Sequence, residues 1–187
     1  MKRIVFLIGL ALLMEFPAFA EMTSFAGMTV FAEAKATALA DSCEMYIEVT
    51  RVIDGDTFEG ETKDGFAIRF RVAGIDAPEI GQYYGDVAKW HLHGLIYGRT
   101  VGLEVCRRDV YGRLVVWVYV DGEDIGAMML REGSAWHYDK YDDCTVYSTL
   151  QADAKMCGRG LWSDDRPIEP WRWREMSKFE RDAYRCR

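Results

Sequence analysis

The chain has 187 residues and 50% of them are hydrophobic, which is enough to bury the core of one folded domain of ordinary size. The formal net charge of −7 excludes a protein that coats nucleic acid through summed lysine and arginine charge. A polyanion must therefore be held locally, by a metal ion and a few arginines.

The N-terminal residues have the pattern of a secretory signal. Basic residues precede an apolar run over 4–14, and the small-x-small sequence Ala18-Phe19-Ala20 is typical of a cleavage site. The run is shorter than the roughly 20 apolar residues of a membrane-spanning helix, and Glu15 interrupts it, so we expect no stable membrane anchor. A similar cleavage pattern stands at Ala38-Leu39-Ala40. We predict removal of residues 1–20, or alternatively cleavage after 40, and export to the periplasm or the medium.

The rest of the chain divides into three parts. Residues 21–42 lack a clear strand or helix pattern, so we predict a poorly structured segment there. Residues 43–165 carry the patterns of one domain, and residues 166–187 form a basic, aromatic tail around Trp171-Arg172-Trp173-Arg174. The tail is interpreted either as a helix that packs its tryptophans on the domain or as a grip on nucleic acid.

The cysteines are odd in number, so at least one of them cannot pair within the chain. In an exported protein they can form disulfides. A predicted helix separates Cys144 from Cys157 and would hold their α-carbons beyond the roughly 7 Å limit of a disulfide, so we do not expect those two to pair. The five cysteines are Cys43, Cys106, Cys144, Cys157 and Cys186.

The domain opens with three short runs rich in β-branched and aromatic residues, over 45–53, 57–62 and 66–72. Asp54-Gly55 and the residues 63–65 separate the runs with the chemistry of hairpin turns. The pattern predicts three consecutive antiparallel strands.

A helix is predicted next, over 86–97, because apolar residues recur there at helical spacing. Asp86 is the expected cap of its first turn, and Gly98 is expected to end it. The runs 100–106 and 114–120 then predict two more strands, the second of which ends at the turn Asp121-Gly122.

Two further helices are predicted over 124–132 and 148–156, and Pro167 and Pro170 are expected to end regular structure. Five strands with a helix between the third and the fourth is the order of an OB-fold barrel. The predicted fold is therefore α+β and mainly β, a five-stranded OB-fold barrel with about three helices.

Acidic residues and arginines in this region carry the chemistry. Asp56 and Asp76 offer carboxylate oxygens, which calcium prefers in a flexible shell. Arg71 and Arg113 offer guanidiniums that bind phosphate oxygens in pairs, and Glu79 is left to act as a base. Each motif alone is an ordinary turn or loop. Together they predict a site for a hard cation and a phosphodiester.

In order and spacing, these residues resemble the thermonuclease, or staphylococcal nuclease, family of calcium-dependent nucleases. The resemblance covers residues 45–174 and implies a micrococcal-nuclease-like endonuclease with Ca²⁺ as cofactor. It implies cleavage of DNA and RNA at the 5′ oxygen, which leaves 3′-phosphates, and we expect a monomer. The motifs that carry it are Val52-Ile53-Asp54-Gly55-Asp56-Thr57, Arg71 with Ile75-Asp76-Ala77-Pro78-Glu79, Tyr111-Gly112-Arg113, Gly133-Ser134-Ala135-Trp136 and Gly160-Leu161-Trp162.

Carried over residue by residue, the resemblance implies that calcium is bound by the carboxylates of Asp56 and Asp76 and by the main-chain carbonyl of Ala77. The family prototype has threonine where this chain has Ala77, but a carbonyl ligand survives that change. Asp54 is interpreted as a turn residue or as support for the metal ligands.

The resemblance further implies that Arg71 and Arg113 contact the scissile phosphate and that Glu79 takes a proton from the attacking water. The candidates for substrate contact are Tyr111, Tyr138 and Tyr141, and which of them meets the substrate stays open. The prototype has a lysine at the position of Val110.

Two alternatives belong to other functional classes. One is a catalytically silent OB-fold module that binds single-stranded nucleic acid or a protein partner, and the other is a metal-stabilised envelope scaffold. The presence of both arginines and of Glu79 favours the enzyme. His91 and His93 lie two apart on a predicted helix and point to different sides, so we interpret them as surface or packing residues.

Overall fold

The computed structural model describes residues 45–185. The predicted signal segment 1–20, the segment 21–42, Cys43 and Cys186 lie outside the described residues. The strands are β1 (Met45–Val52), β2 (Thr57–Glu61), β3 (Ala67–Val72), β4 (Ile75–Asp76), β5 (Thr100–Arg108), β6 (Leu114–Val120), β7 (Glu123–Asp124) and β8 (Trp136–His137). The helices are α1 (Gly85–Ile96), α2 (Ile125–Arg131), α3 (Thr145–Met156), α4 (Pro170–Glu175) and α5 (Lys178–Arg185), with a 3₁₀ turn over Gly160–Ser163.

Five strands close into a barrel. β1 pairs antiparallel with β2 and β5, and the pairs β2–β3 and β5–β6 are also antiparallel. β3 and β6 then pair in parallel, with Arg71 opposite Val115 and Val72 opposite Val116. This last pairing joins the two ends of the order β3-β2-β1-β5-β6. The predicted α+β class and five-stranded OB-fold barrel are confirmed.

The core fills the barrel and the space under α1. Ile47 and Val49 alternate with exposed residues along β1, as expected of a strand with one face on the core. Ala88, Leu92 and Ile96 form the buried face of α1, at the helical spacing seen in the sequence. Burial of these apolar faces fixes the strand ends from which the loops of the cavity emerge.

The start of α1 differs from the prediction. Asp86 lies in the first turn, whereas the residue before the helix is Tyr84, which has a φ of 66° and makes no side-chain cap. A β-carbon on Gly85 would lie 2.0 Å from the carbonyl oxygen of Glu79, so only glycine fits there. This close approach holds the loop 79–85 against the beginning of α1.

α2 begins at Ile125, within one residue of the predicted start at 124, and Asp124 caps it. The Asp124 Oδ1 accepts the N–H of Ala127 at 3.1 Å and the hydroxyl of Tyr147 at 2.8 Å. α3 begins at Thr145, three residues before the predicted start at 148. Just before the helix, the Asp142 Oδ1 accepts the N–H of Cys144 at 3.3 Å.

The tail forms two short helices and packs on the domain. Pro170, which was expected to end regular structure, begins α4 instead, because the first helical position needs no N–H donor. Trp173 of α4 is 2% exposed, while α5 has no buried residue. The described chain thus has five α-helices where about three were predicted.

The part of the chain that the structure describes has no helix of the length and apolar character needed to cross a membrane.

Candidate active site

A cavity of ≈ 930 Å³ opens at the side of the barrel, where β2, β3 and the loop between β5 and β6 meet. Of the nine site residues predicted from the sequence, all except Asp76 line this cavity: Asp56, Arg71, Ala77, Glu79, Tyr111, Arg113, Tyr138 and Tyr141. Asp76 lies directly behind its wall and is 0% exposed. Residues as far apart in sequence as Asp56 and Tyr141 are therefore brought together at one cavity.

Arg71 joins the two aspartates. It lies on β3 opposite Thr57 of β2, so its side chain points to the turn that carries Asp56. Its Nη1 donates to the Asp56 Oδ1 at 2.6 Å, and its Nη2 donates to the Asp76 Oδ1 at 2.7 Å. One guanidinium thus bridges two buried carboxylates, with one nitrogen bonded to each of them.

Asp56 is held in its charged form. Burial alone would raise its pKa, but the charge of Arg71 and the N–H of Ala77, which donates to the Asp56 Oδ2 at 2.9 Å, lower the pKa below its ordinary value. Burial and the charge of Asp56 raise the pKa of neighbouring Asp54 to about 7. Asp54 also accepts the N–H of Asp56 at 3.0 Å, which agrees with its interpretation as a turn and support residue.

Asp76 is fixed by a strand pair that the sequence did not predict. β4 pairs antiparallel with β8, and Asp76 stands opposite Trp136. Burial raises the pKa of Asp76 even though Arg174 and Arg71 stabilise its carboxylate form. Negative charge at this position is therefore costly, and further positive charge beside it would be favourable.

A third arginine, from the tail, reaches the acidic cluster. The Arg174 Nη2 donates to the Asp76 Oδ2 at 2.7 Å, and its Nη1 donates to the Glu79 Oε1 at 2.6 Å. Its guanidinium covers Asp76 on the cavity side and is itself part of the cavity wall. The sequence pattern identifies the tail only as a basic, aromatic segment and does not place Arg174 in the site.

Arg113 is oriented by two neighbours. Its Nε donates to the Asp109 Oδ2 at 2.7 Å, and its Nη1 donates to the Thr57 Oγ1 at 3.2 Å. The Thr57 hydroxyl in turn donates to the Asp56 Oδ1 at 2.9 Å. Arg113 is therefore connected to Asp56 through one hydroxyl group, and its side chain lies within the cavity wall.

Aromatic rings form the opposite wall. Tyr138 stacks on Trp171 with ring centres 5.3 Å apart and planes 10° from parallel, and it meets the edge of Tyr141 at 5.0 Å. Arg107 lies 4.9 Å from the centre of the Tyr141 ring. Tyr111 also lines the cavity, with its ring centre 5.4 Å from the guanidinium of Arg113. Flat rings beside cations suit the bases and phosphates of a single strand.

The three histidines lie away from the cavity wall, in keeping with the sequence interpretation of His91 and His93. His91 shares a hydrogen bond of 2.7 Å with Ser134, and His93 stacks on Tyr97 at 4.2 Å. His137 is buried between Asp142 and Ser148, at 3.0 Å and 3.1 Å. These contacts fasten helices and loops to the domain.

Comparison with known proteins shows which family has this sequence pattern. A family profile described as Staphylococcal nuclease homologue matches residues 69–164. The chain belongs to the staphylococcal nuclease family. The match includes Arg71, Asp76, Glu79 and Arg113 and ends before Arg174.

Several relatives of this nuclease carry nuclease names. A protein of Escherichia coli O157:H7 named Uncharacterized endonuclease is 41% identical over 132 residues, which is 70% of this chain and 86% of the relative. A Haemophilus influenzae protein of the same name is 38% identical over 131 residues, 70% of this chain and 74% of that protein. The Micrococcal nuclease of Shigella flexneri is 37% identical over 143 residues, 70% of this chain and 81% of that protein.

These similarities confirm the predicted enzyme class. The protein is a nuclease, a hydrolase of phosphodiester bonds, and nucleic acid is its substrate. The metal, the bond that is cut and the role of each residue depend on the chemical groups that line the cavity.

Proposed function

We propose that this nuclease is an exported, calcium-dependent endonuclease that cuts DNA and RNA at the 5′ oxygen and releases 3′-phosphates. One observation carries the proposal: Arg71 bridges Asp56 and Asp76 beside a cavity that also holds Glu79 and Arg113. A cation site, two phosphate-binding guanidiniums and a base within one cavity are what hydrolysis of an anionic diester requires.

The chemistry of the donor groups fits calcium. Residues 45–185 contain no group of three or more His, Cys, Asp or Glu side chains arranged to hold a metal ion. The candidate ligands are the carboxylates of Asp56 and Asp76, the Ala77 carbonyl and water. Such an all-oxygen, loosely constrained set suits calcium better than magnesium, which demands tighter octahedral geometry. Because Asp76 is covered by Arg174, one of the Asp76–Arg174 contacts has to open for a cation to bind there.

Each protein group has a separate task in the reaction. A bound calcium ion would neutralise charge on a phosphoryl oxygen and help to place the attacking water. Arg71 and Arg113 bind the remaining phosphoryl oxygens and stabilise the negative charge that grows in the transition state. The Glu79 carboxylate, which is partly exposed to the cavity, accepts a proton from the attacking water.

The aromatic wall supports single strands as the preferred form of substrate. Tyr138, Tyr141 and Trp171 present their rings beside Arg107, so bases can stack while the backbone crosses to Arg71 and Arg113. A duplex keeps its bases stacked on each other and offers only backbone to this wall. We further propose that the active form is a monomer.

The experiment is cleavage of a single-stranded oligonucleotide and of plasmid DNA with calcium, with magnesium and with chelator. We expect cleavage with calcium, little or none with magnesium alone, and products whose 3′ ends are labile to phosphatase. Equal rates in both metals would overturn the metal assignment. An inactive protein that still bound the oligonucleotide would instead support the silent binding module. Export is checked by N-terminal sequencing of protein recovered outside the cytoplasm.

A further inference from the structure

The tail clamps the loop that carries the candidate base. The Gln82 side chain donates to the Ile168 carbonyl oxygen at 2.6 Å, and the Arg185 Nε donates to the Gly81 carbonyl oxygen at 2.7 Å. The Arg181 side chain donates to the carbonyl oxygens of Trp173 and Arg174, both at 3.0 Å. The tail is thus fastened to the loop 79–85 and to itself on either side of Arg174.

The carboxylate of Glu79 depends on this tail. Among residues 45–185, the Glu79 carboxylate accepts one side-chain hydrogen bond, which the Arg174 Nη1 donates at 2.6 Å. Asp56, in contrast, accepts hydrogen bonds from Arg71, Thr57 and Ala77. The Glu79 side chain is also 38% exposed, so surrounding atoms do not fix its rotamer. Without Arg174 the carboxylate would be free to rotate into solvent.

Arg174 makes three hydrogen bonds to the two carboxylates. Nη1 donates to the Glu79 Oε1 at 2.6 Å and, at 3.2 Å, to the Asp76 Oδ1, while Nη2 donates only to the Asp76 Oδ2, at 2.7 Å. A cation that takes over the Asp76 Oδ2 therefore displaces Nη2 and leaves the contact to Glu79 in place. The planar guanidinium then fixes the direction of the Glu79 carboxylate as well as its distance.

We propose that Arg174 is a positioning residue of the nuclease, which holds the Glu79 carboxylate for proton abstraction. The proposal rests on the proposed function, in which Glu79 is the base. It assigns part of the active site to the tail, beyond the residues 69–164 that match the family profile. A misplaced base loses much of its effect, because proton transfer requires hydrogen-bond reach to the attacking water.

A purely structural role for Arg174 is less consistent with its surroundings. Trp173, which is 2% exposed, anchors α4, and the Arg185 contact to Gly81 and the Gln82 contact to Ile168 hold the tail independently of Arg174. The Arg174 side chain is 42% exposed and faces the cavity. Its neighbour Arg172 lies on the same helix, is 70% exposed and contacts only Glu169 at 3.5 Å among the described residues. Arg172 is therefore a matched control for loss of an arginine from α4.

The test is a double-mutant cycle with single-turnover cleavage of a single-stranded oligonucleotide in calcium. We expect Arg174→Gln to lower the rate on the order of 10²-fold with little change in KM, since the defect lies in base positioning. Arg174→Lys should recover part of the rate, because one ammonium N–H can still bond Glu79. Arg172→Gln should keep the parent rate. In a Glu79→Gln background, Arg174→Gln should have less than about a twofold effect, as residues that act through each other do not add.

A second measurement is independent of turnover. Urea unfolding with chelator should show that Arg174→Gln and Glu79→Gln are coupled, so the midpoint shift of the double variant is smaller than the sum of the two single shifts. If Arg174→Gln fails to fold, Arg174→Lys replaces it in the same double-mutant cycle with Glu79→Gln.

Two results would overturn the inference: a parent rate in Arg174→Gln, or an equal loss with and without Glu79. In both, Glu79→Gln alone would still be slow, so the proposed function would stand. A Glu79→Gln protein as fast as the parent would mean that the base assignment itself had failed, and the positioning role with it.

Discussion

Arg113 is fixed from two sides before any substrate binds. Asp109 accepts its Nε at 2.7 Å, and the Thr57 hydroxyl accepts its Nη1 at 3.2 Å. A side chain that is already oriented loses little entropy when it binds a phosphate, so its interaction can be strongest as charge develops in the transition state.

Arg113→Lys should therefore reduce turnover on the order of 10²-fold and oligonucleotide affinity much less, because lysine keeps the charge but lacks the planar fork. Arg71→Lys should behave similarly. Single-turnover rates and equilibrium binding check the two effects separately. Arg51→Lys is the control, since the Arg51 side chain is exposed on β1 and contacts Glu59 at 3.5 Å. Equal losses of rate and affinity in Arg113→Lys would contradict a transition-state role.

Sequence reasoning could find Arg113 but not the groups that orient it. Arg113 stands in a motif, and the polar residues of such motifs have recognisable chemistry. Asp109 looks like any turn residue until its carboxylate is seen on the Arg113 guanidinium. Arg174 is harder still, because it meets Asp76 and Glu79 only through the folding of the tail. Nothing in a basic, aromatic segment indicates which of its arginines points inward.

At the scale of elements, α2 is held by one carboxylate that serves two partners. The Asp124 Oδ1 caps the first turn through Ala127 and also accepts the hydroxyl of Tyr147 from α3. Tyr147 is buried, and burial together with Asp124 raises the pKa of its hydroxyl, which stays protonated as a donor. Asp124 thus connects α2 to α3 as well as capping α2.

Asp124→Ala should destabilise the protein by about 2–3 kcal/mol, from the loss of a helix cap and of the partner of a buried hydroxyl. The measurement is the free energy of unfolding in urea. Asp124→Asn keeps an acceptor oxygen and should cost much less. A loss below about 0.5 kcal/mol in the alanine variant would show that the cap is replaced by other groups.

The longer elements could be predicted from the sequence, while the shortest could not. β1, β2 and β3 begin and end within a residue or two of the predicted runs, because period-two burial and turn residues mark them. β4 and β8 have two residues each, too few for any periodicity, although their pairing fixes Asp76. Pro170 was wrongly expected to end structure, because proline at a first helical position and proline after a helix look alike in sequence.

For the whole molecule, the order of strands was predictable and the closure of the barrel had to be assumed. The parallel pairing of β3 with β6 depends on tertiary packing and has no local signature. The net charge of −7, by contrast, is read directly from the sequence. The structure adds that few arginines line the cavity without contacting the carboxylates Asp56, Asp76 and Glu79. Among the described residues, that group has four members: Arg69, Arg107, Arg108 and Arg113.

We therefore expect weak, weakly salt-dependent binding of single strands in the absence of calcium. Four such arginines correspond to a slope of about −3 in a plot of log affinity against log salt, at roughly 0.7 per phosphate. Fluorescence anisotropy with a labelled oligonucleotide and chelator measures the slope. A slope steeper than about −5 would mean that the exposed arginines of the tail also hold the strand.

The most direct test of the central claim, that Glu79 is the base of a calcium-assisted hydrolysis at this cavity, is the single-turnover rate of Glu79→Gln. The substitution keeps the shape of the side chain and removes its ability to take a proton. We predict a rate at least ~10²-fold below the parent in calcium, with calcium and oligonucleotide bound as tightly as by the parent. A Glu79→Gln protein that cuts the oligonucleotide at the parent rate would contradict the mechanism.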